Sequence, residues 1–124
     1  MTTEFYFIQL LVTKNTTAAA PVTTSGNATY PSQGIPQGNV TGVMPVFPSG
    51  ANQLVFARLN INGALMFPTG SNANGYVNLN NTTELTVAFS YPVVGSNAII
   101  DLVAYNTDTL NDHLISFGLI VEVA

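Results

Sequence analysis

Apolar and polar positions alternate most clearly between Glu84 and Tyr105, and the pattern predicts two strands there. In Glu84–Tyr91 the residues Leu85, Val87, Phe89 and Tyr91 alternate with Glu84, Thr86, Ala88 and Ser90, the period-two signature of a strand with one buried face. In Ala98–Tyr105 both parities are largely apolar, with Ala98, Ile100, Leu102 and Ala104 set against Ile99, Asp101, Val103 and Tyr105, so this strand is expected inside its sheet. The segment Pro92 to Asn97 joins the two, which are expected to form the central pair of the fold.

The same reading extends along the chain. Glu4–Val12 is rich in β-favouring residues and apolar on both parities, so it is expected to be a buried strand. It is too short to span a bilayer. With Glu4 and no Lys or Arg ahead of it, the run is not expected to be a secretory signal, although Ala18-Ala19-Ala20 follows. In Gln53–Phe67, Val55, Ala57, Leu59 and Ile61 alternate with Phe56, Arg58 and Asn60, and Asn62-Gly63 supplies the two positive-φ residues of a type I′ turn. A hairpin with return arm Ala64–Phe67 is predicted, ending at Pro68-Thr69-Gly70. Tyr76–Leu79 reads as a short strand before the Asn80-Asn81 turn. His113–Val123 reads as a long terminal strand after the turn cluster Asn106–Asp112, with a trace of helical spacing only at Leu114-Ile115.

Between about 14 and 52 the character changes to Thr, Ala, Pro, Gly, Ser, Asn and Gln. Such a stretch buries little area and is longer than an ordinary loop, so it is expected either as a surface arm or as short strands tied by turns, a long ordered loop over the sheets being favoured. Within it Val40–Phe47 alone has apolar content to pair, and Pro45 limits it to an edge strand.

Seven or eight short strands with Gly, Asn and Pro turns and no helix between them predict an all-β, antiparallel two-sheet β-sandwich. A single jelly roll is the expected form, and residues 1–124 are expected to make one domain.

Composition then narrows the function. Charged residues are only 6% of the 124, against about a quarter in an ordinary globular chain. Lys14 and Arg58 are the only cations, so nucleic-acid binding, which rests on several phosphate neutralisations, is not expected, nor is attachment to an anionic membrane. The chain has no Cys, which removes disulfides, thiolate metal sites and cysteine nucleophiles. A surface of Thr, Asn, Ser, Gln and Gly carries almost no repulsion between copies and tolerates close packing.

Candidate chemistry is sparse. His113 is the only histidine, with Asp108 and Asp112 nearby and Ser116 three residues on, but positions 113 and 116 of a strand face opposite ways and no Gly-x-Ser-x-Gly elbow exists. Asn106, Asp108, Asn111 and Asp112 offer oxygen ligands to a hard cation, yet lack calcium-loop spacing and are as well explained as turn residues. Glu4, Glu84, Asp101 and Glu122 fall in separate strands, so no glycosidase-type pair is evident. Asp101 is expected to be partly buried and to form a structural salt bridge with Arg58. Asn15, Asn27, Asn39, Asn80 and Asn81 each begin a glycosylation-type triplet, a pattern that chance produces in a chain rich in Asn and Thr. Tyr30 and Tyr76 are the only candidates for an exposed sugar-stacking platform, and core packing is the favoured assignment for the aromatic residues. No catalytic, cofactor-binding or metal residue is therefore assigned, and no cofactor or small-molecule substrate is expected.

The remaining profile is that of an assembly subunit. We expect a structural virion protein, a capsid or capsid-decoration subunit made in a host cytoplasm, with copies of itself or other capsid proteins as partners. An extracellular filament or pilus-type subunit using strand exchange through Glu4–Val12 is the alternative, and a carbohydrate-binding module the second. The polar excursion and the sheet edges are the surfaces expected to engage neighbours.

Overall fold

Alternating strands need a partner for each apolar face, and here two sheets supply it. The computed structural model describes residues 2–23, 37–48, 50–51, 54–62, 64–68, 75–78, 87–93 and 98–123. Its strands are β1 (Thr2–Val12), β2 (Val22–Thr23), β3 (Gly38–Val46), β4 (Val55–Ile61), β5 (Ala64–Phe67), β6 (Val87–Val93), β7 (Ile100–Asn106) and β8 (His113–Val123). They form two antiparallel four-stranded sheets, ordered β1-β8-β3-β6 and β2-β7-β4-β5. No α-helix occurs among the described residues, so the helical trace at Leu114-Ile115 has no counterpart and β8 runs straight through it.

The inward parity of each strand makes one core. Tyr6, Ile8, Leu10 and Val12 of β1, Val55, Ala57, Leu59 and Ile61 of β4, and Ile115, Phe117, Leu119 and Val121 of β8 are all buried in one apolar cluster. Phe117 sits among aromatic edges, 6.1 Å from Phe47 and 6.2 Å from Phe67 between ring centroids. Such tilted contacts add to the area that the rings bury.

The pairing is nested: β1 with β8, β2 with β7, β3 with β6, and β4 with β5. Only β4 and β5 are a local hairpin. There Ile61 faces Ala64 across two residues, and Asn62 takes the positive φ of 48° that a type I′ turn requires at its first central position. The neighbouring Gly63 lies outside the described residues. Asn62 also hooks β7, accepting from the Ile99 N–H through Oδ1 at 3.2 Å and donating its own N–H to the Ile99 carbonyl at 2.9 Å.

Three expectations are corrected. The strands on either side of residues 94–97 are not a pair: β6 lies at the edge of one sheet and β7 inside the other, so the connection crosses between layers. The period-two pattern reports a buried face and leaves the pairing partner open. The interior position expected for Ala98–Tyr105 does hold, since β7 lies between β2 and β4. The polar excursion carries a central element: β3 lies between β8 and β6, not at an edge. Pro45 stands opposite Phe117 of β8, and the described pairing with β6 runs from Gly38 to Val43. Finally, β1 is an edge strand with one buried face, despite being apolar on both parities.

At Gly38 β3 approaches β8 so closely that an added Cβ would collide with the Glu122 carbonyl oxygen. Gly38→Ala is therefore expected to cost about 1–3 kcal/mol. Phe117→Ala, which empties the middle of the core, is expected to cost about 3–5 kcal/mol. Urea denaturation with unchanged m-value checks both; a Gly38→Ala midpoint equal to wild type would refute the close approach.

Candidate interaction surface

The turn between β7 and β8 is where the sequence concentrates its acids and its histidine, and the structure ties them to backbone. Asn106 is fully buried. Its Nδ2 donates to the carbonyls of Val12 at 3.2 Å and Asn111 at 2.9 Å, while its Oδ1 accepts the Asp108 N–H at 2.9 Å. Asp108 Oδ1 accepts the N–H groups of Leu110 at 2.8 Å and Asn111 at 3.2 Å. Asp112 Oδ1 accepts the Lys14 N–H at 2.9 Å, and the Thr16 hydroxyl accepts the Asn106 N–H at 2.6 Å. These oxygens cap a turn and pin the exit of β1 to it.

His113 completes the tie, its Nε2 lying 2.8 Å from Asp108 Oδ2 with the two side chains only 9% and 11% exposed. The Leu110 N–H first, then His113, hold the Asp108 carboxyl below the usual carboxylate value. An ionised carboxylate only accepts, so Nε2 carries the proton and donates. Ser116 is buried between Gln9 and Val46, on the face of β8 opposite His113, so no serine reaches the imidazole from this strand. Among the described residues no three His, Cys, Asp or Glu converge as a metal site.

The remaining acids are dispersed. Glu4 accepts from the Tyr6 hydroxyl on β1, Glu122 lies opposite Thr3 and Asn39, and Asp101 sits half-buried opposite Asn60 in the other sheet. Glu84 lies outside the described residues.

Arg58 emerges on the outer face of β4, where its guanidinium lies 4.7 Å from the centre of the Tyr76 ring. Tyr76 in turn meets Tyr105 edge-on at 4.9 Å, and Tyr105 stacks on Phe56 at 4.8 Å. Burial, and after it the Tyr76 phenol, push Tyr105 above its ordinary value of 10.0. Arg58 Nε and Asn60 Oδ1 are buried with no hydrogen-bond partner among the described residues. Tyr76 is 6% exposed, in keeping with the core packing expected of the aromatic residues and not with an open sugar platform. The cause is the backbone bridge between Val77 and Ala57, at 2.8 and 2.9 Å, which lays this segment along β4. Tyr30 lies outside the described residues, as do Asn27, Asn80 and Asn81; Asn15 sits exposed in a turn at φ 62° and Asn39 on β3.

The feature that the sequence reading missed is the outer face of β1 and β8. Phe5 is 55% exposed, Leu11 47% and Leu114 50%, with Phe7, Met44 and Ile120 half-buried between them. Phe5 stacks on Phe7 and covers Gly118, where an added Cβ would sit 2.7 Å from its ring. The two apolar parities of Glu4–Val12 were the available signal, since one parity of an edge strand faces outward. Leu65, Ile99 and Leu110 are also exposed, but on separate elements. A shallow cleft of about 280 Å³ is lined, among the described residues, by the uncharged Ile61, Asn62, Ala64, Tyr91 and Pro92.

The chain matches no protein-family model, no curated protein and no solved structure.

Because Asp108 is held below its unfolded value of 3.8, its ionised form stabilises the fold above that pH, and the contribution is lost as pH falls through the folded value. Asp108→Asn is expected to lower stability at neutral pH and to flatten the fall in stability below about pH 4, the two curves converging in acid. Urea midpoints measured from pH 7 to pH 2 check this; parallel curves would refute it.

Proposed function

We propose that this chain is a structural virion subunit, of a capsid or of a protein decorating one, built on a single jelly roll. The observation that carries the reading is the nested pairing of first strand with last, second with seventh, third with sixth and fourth with fifth. An antiparallel ribbon folded over into two sheets has this order, and such double-sheet rolls serve viral shells, lectins and cupins.

Two features favour the shell role among these. A cupin-type metal site draws on several histidines, and the chain has one, engaged by Asp108. A lectin needs an open aromatic platform, and Tyr76 is packed away. What the surface does offer is a sparsely charged, Thr- and Asn-rich exterior with an apolar sheet face, suited to close packing of copies. The role requires no catalytic group.

A filament subunit is the second reading, favoured by the eleven-residue β1 at a sheet edge. Since β1 already pairs along its whole length with β8 of its own chain, such a subunit would accept a strand beside β1 and would not donate β1 itself.

The native mass of the purified protein, measured by light scattering over a concentration series, tests the proposal. A discrete oligomer or closed particle is the expected result. A mass that rises without limit favours the filament, and a monomer at every concentration overturns self-assembly.

A further inference from the structure

A sheet edge is a row of unpaired N–H and C=O groups, and folded proteins protect such edges with short strands, prolines, charges or bulges. Over the described residues three of the four edges follow that rule: β2 has two residues, β5 has four, and β6 carries Pro92. The fourth does not. β1 is eleven residues long, contains no Pro, Gly, Lys or Arg, and runs in unbroken register with β8 from Thr2 opposite Val123 to Val12 opposite His113. Among the described residues nothing pairs with its other side. Its outward parity also holds Phe5 and Leu11, two of the large apolar side chains left exposed.

Building on the assembly reading above, we propose that two copies of this chain join along β1, antiparallel, about a two-fold axis through Ile8. Charge decides the direction. Glu4 is the only charge on the strand, and parallel pairing in register would set it beside its own copy. The antiparallel arrangement puts Glu4 opposite the partner's Val12, so the two carboxylates stand eight residues apart along the strands, about 27 Å. That is more than three screening lengths of about 8 Å.

Side chains decide the register. In an antiparallel ladder, facing residues must turn their backbone groups the same way, so residues of like parity meet and the axis passes through a residue. With the axis at Ile8, Phe5 meets the partner's Leu11 twice over, Tyr6 meets Leu10, and Phe7 meets Gln9. An axis at Phe7 leaves Phe5 against Gln9 and Leu11 against Thr3. Only the first covers both exposed apolar residues with each other, and cross-strand pairs of this kind are the unit of sheet stabilisation. The result is one continuous eight-stranded sheet whose uncharged outer stripe runs through both copies.

The test uses the full chain and the exposed pair. Phe5→Lys with Leu11→Lys sets like charges face to face and is expected to weaken dimerisation at least tenfold in sedimentation velocity. Phe5→Lys with Leu11→Glu makes two complementary pairs and is expected to return the dissociation constant to within about threefold of wild type. The absence of native Cys allows a second readout that does not depend on these variants folding equally well. Phe5→Cys with Leu11→Cys is expected to give an oxidised covalent dimer, whereas either Cys alone gives none, because the two copies of position 5 stand about 20 Å apart. An assembly whose mass ignores the Lys pair, or a Cys pair that fails to cross-link, overturns the seam and leaves the shell reading standing. Dimers that never grow support the seam and leave, of the assembly reading, a decorating subunit and not a shell-forming one. A wild-type monomer overturns both.

Discussion

Eleven consecutive antiparallel pairs between β1 and β8 bring residues from the two ends of the described chain side by side, and the other pairings nest inside that closure. β8 is the strand on which most depends, because it pairs on both sides, with β1 and with β3, and sends Ile115, Phe117, Leu119 and Val121 into the core. Pairing first with last has a cost. The loop entropy must be met before any contact repays it, so the fold relies on a strongly apolar inner face to make closure favourable. Phe117, wedged between Phe47 and Phe67, joins that closure to elements from both sheets.

Polar chemistry serves the same closure. The β7–β8 turn holds a fully buried Asn106 whose amide reaches the last residue of β1, and the Asp108–His113 pair seals the turn from the side. A buried polar group costs stability unless satisfied, and here the Asn106 side chain bonds to the backbone of Val12, Asn111 and Asp108 while its own N–H donates to the Thr16 hydroxyl. The residues that most resemble an active site in sequence are therefore the ones that lock the start and end of the ribbon. On the opposite sheet, the Arg58–Tyr76–Tyr105–Phe56 stack covers the outer face of β4 and β7 with aromatic surface, leaving the apolar face of β1 and β8 as the open one.

Much was legible from the residues in order. Alternation located β4, β7 and β8, the Asn62-Gly63 pair marked the hairpin, and the dearth of charge turned attention from catalysis to surfaces. Other features were not legible. Pro45 reads as a mark of an edge strand, because the sequence does not say that β3 has β8 on one side and β6 on the other. Tyr76 reads as packed, but what packs it does not read at all, because the backbone bridge from Val77 to Ala57 is a contact between separate segments. Phe5 and Leu11 read as core, because an apolar residue on either parity looks alike until one side of the strand is known to be empty.

By itself, then, the sequence determined the material: strands rather than helices, one apolar face for each, turns where Asn and Gly allow them, and a nearly uncharged exterior. These are local properties, set by side-chain period and backbone preference within a few residues. The tertiary structure alone decided which strand lies beside which, that β6 and β7 part into different sheets, and that β1 keeps an open edge with Phe5 and Leu11 outside. Such choices are made by contacts between residues far apart in the chain, where the same alternating pattern fits many partners and only the packing of both sheets together selects one.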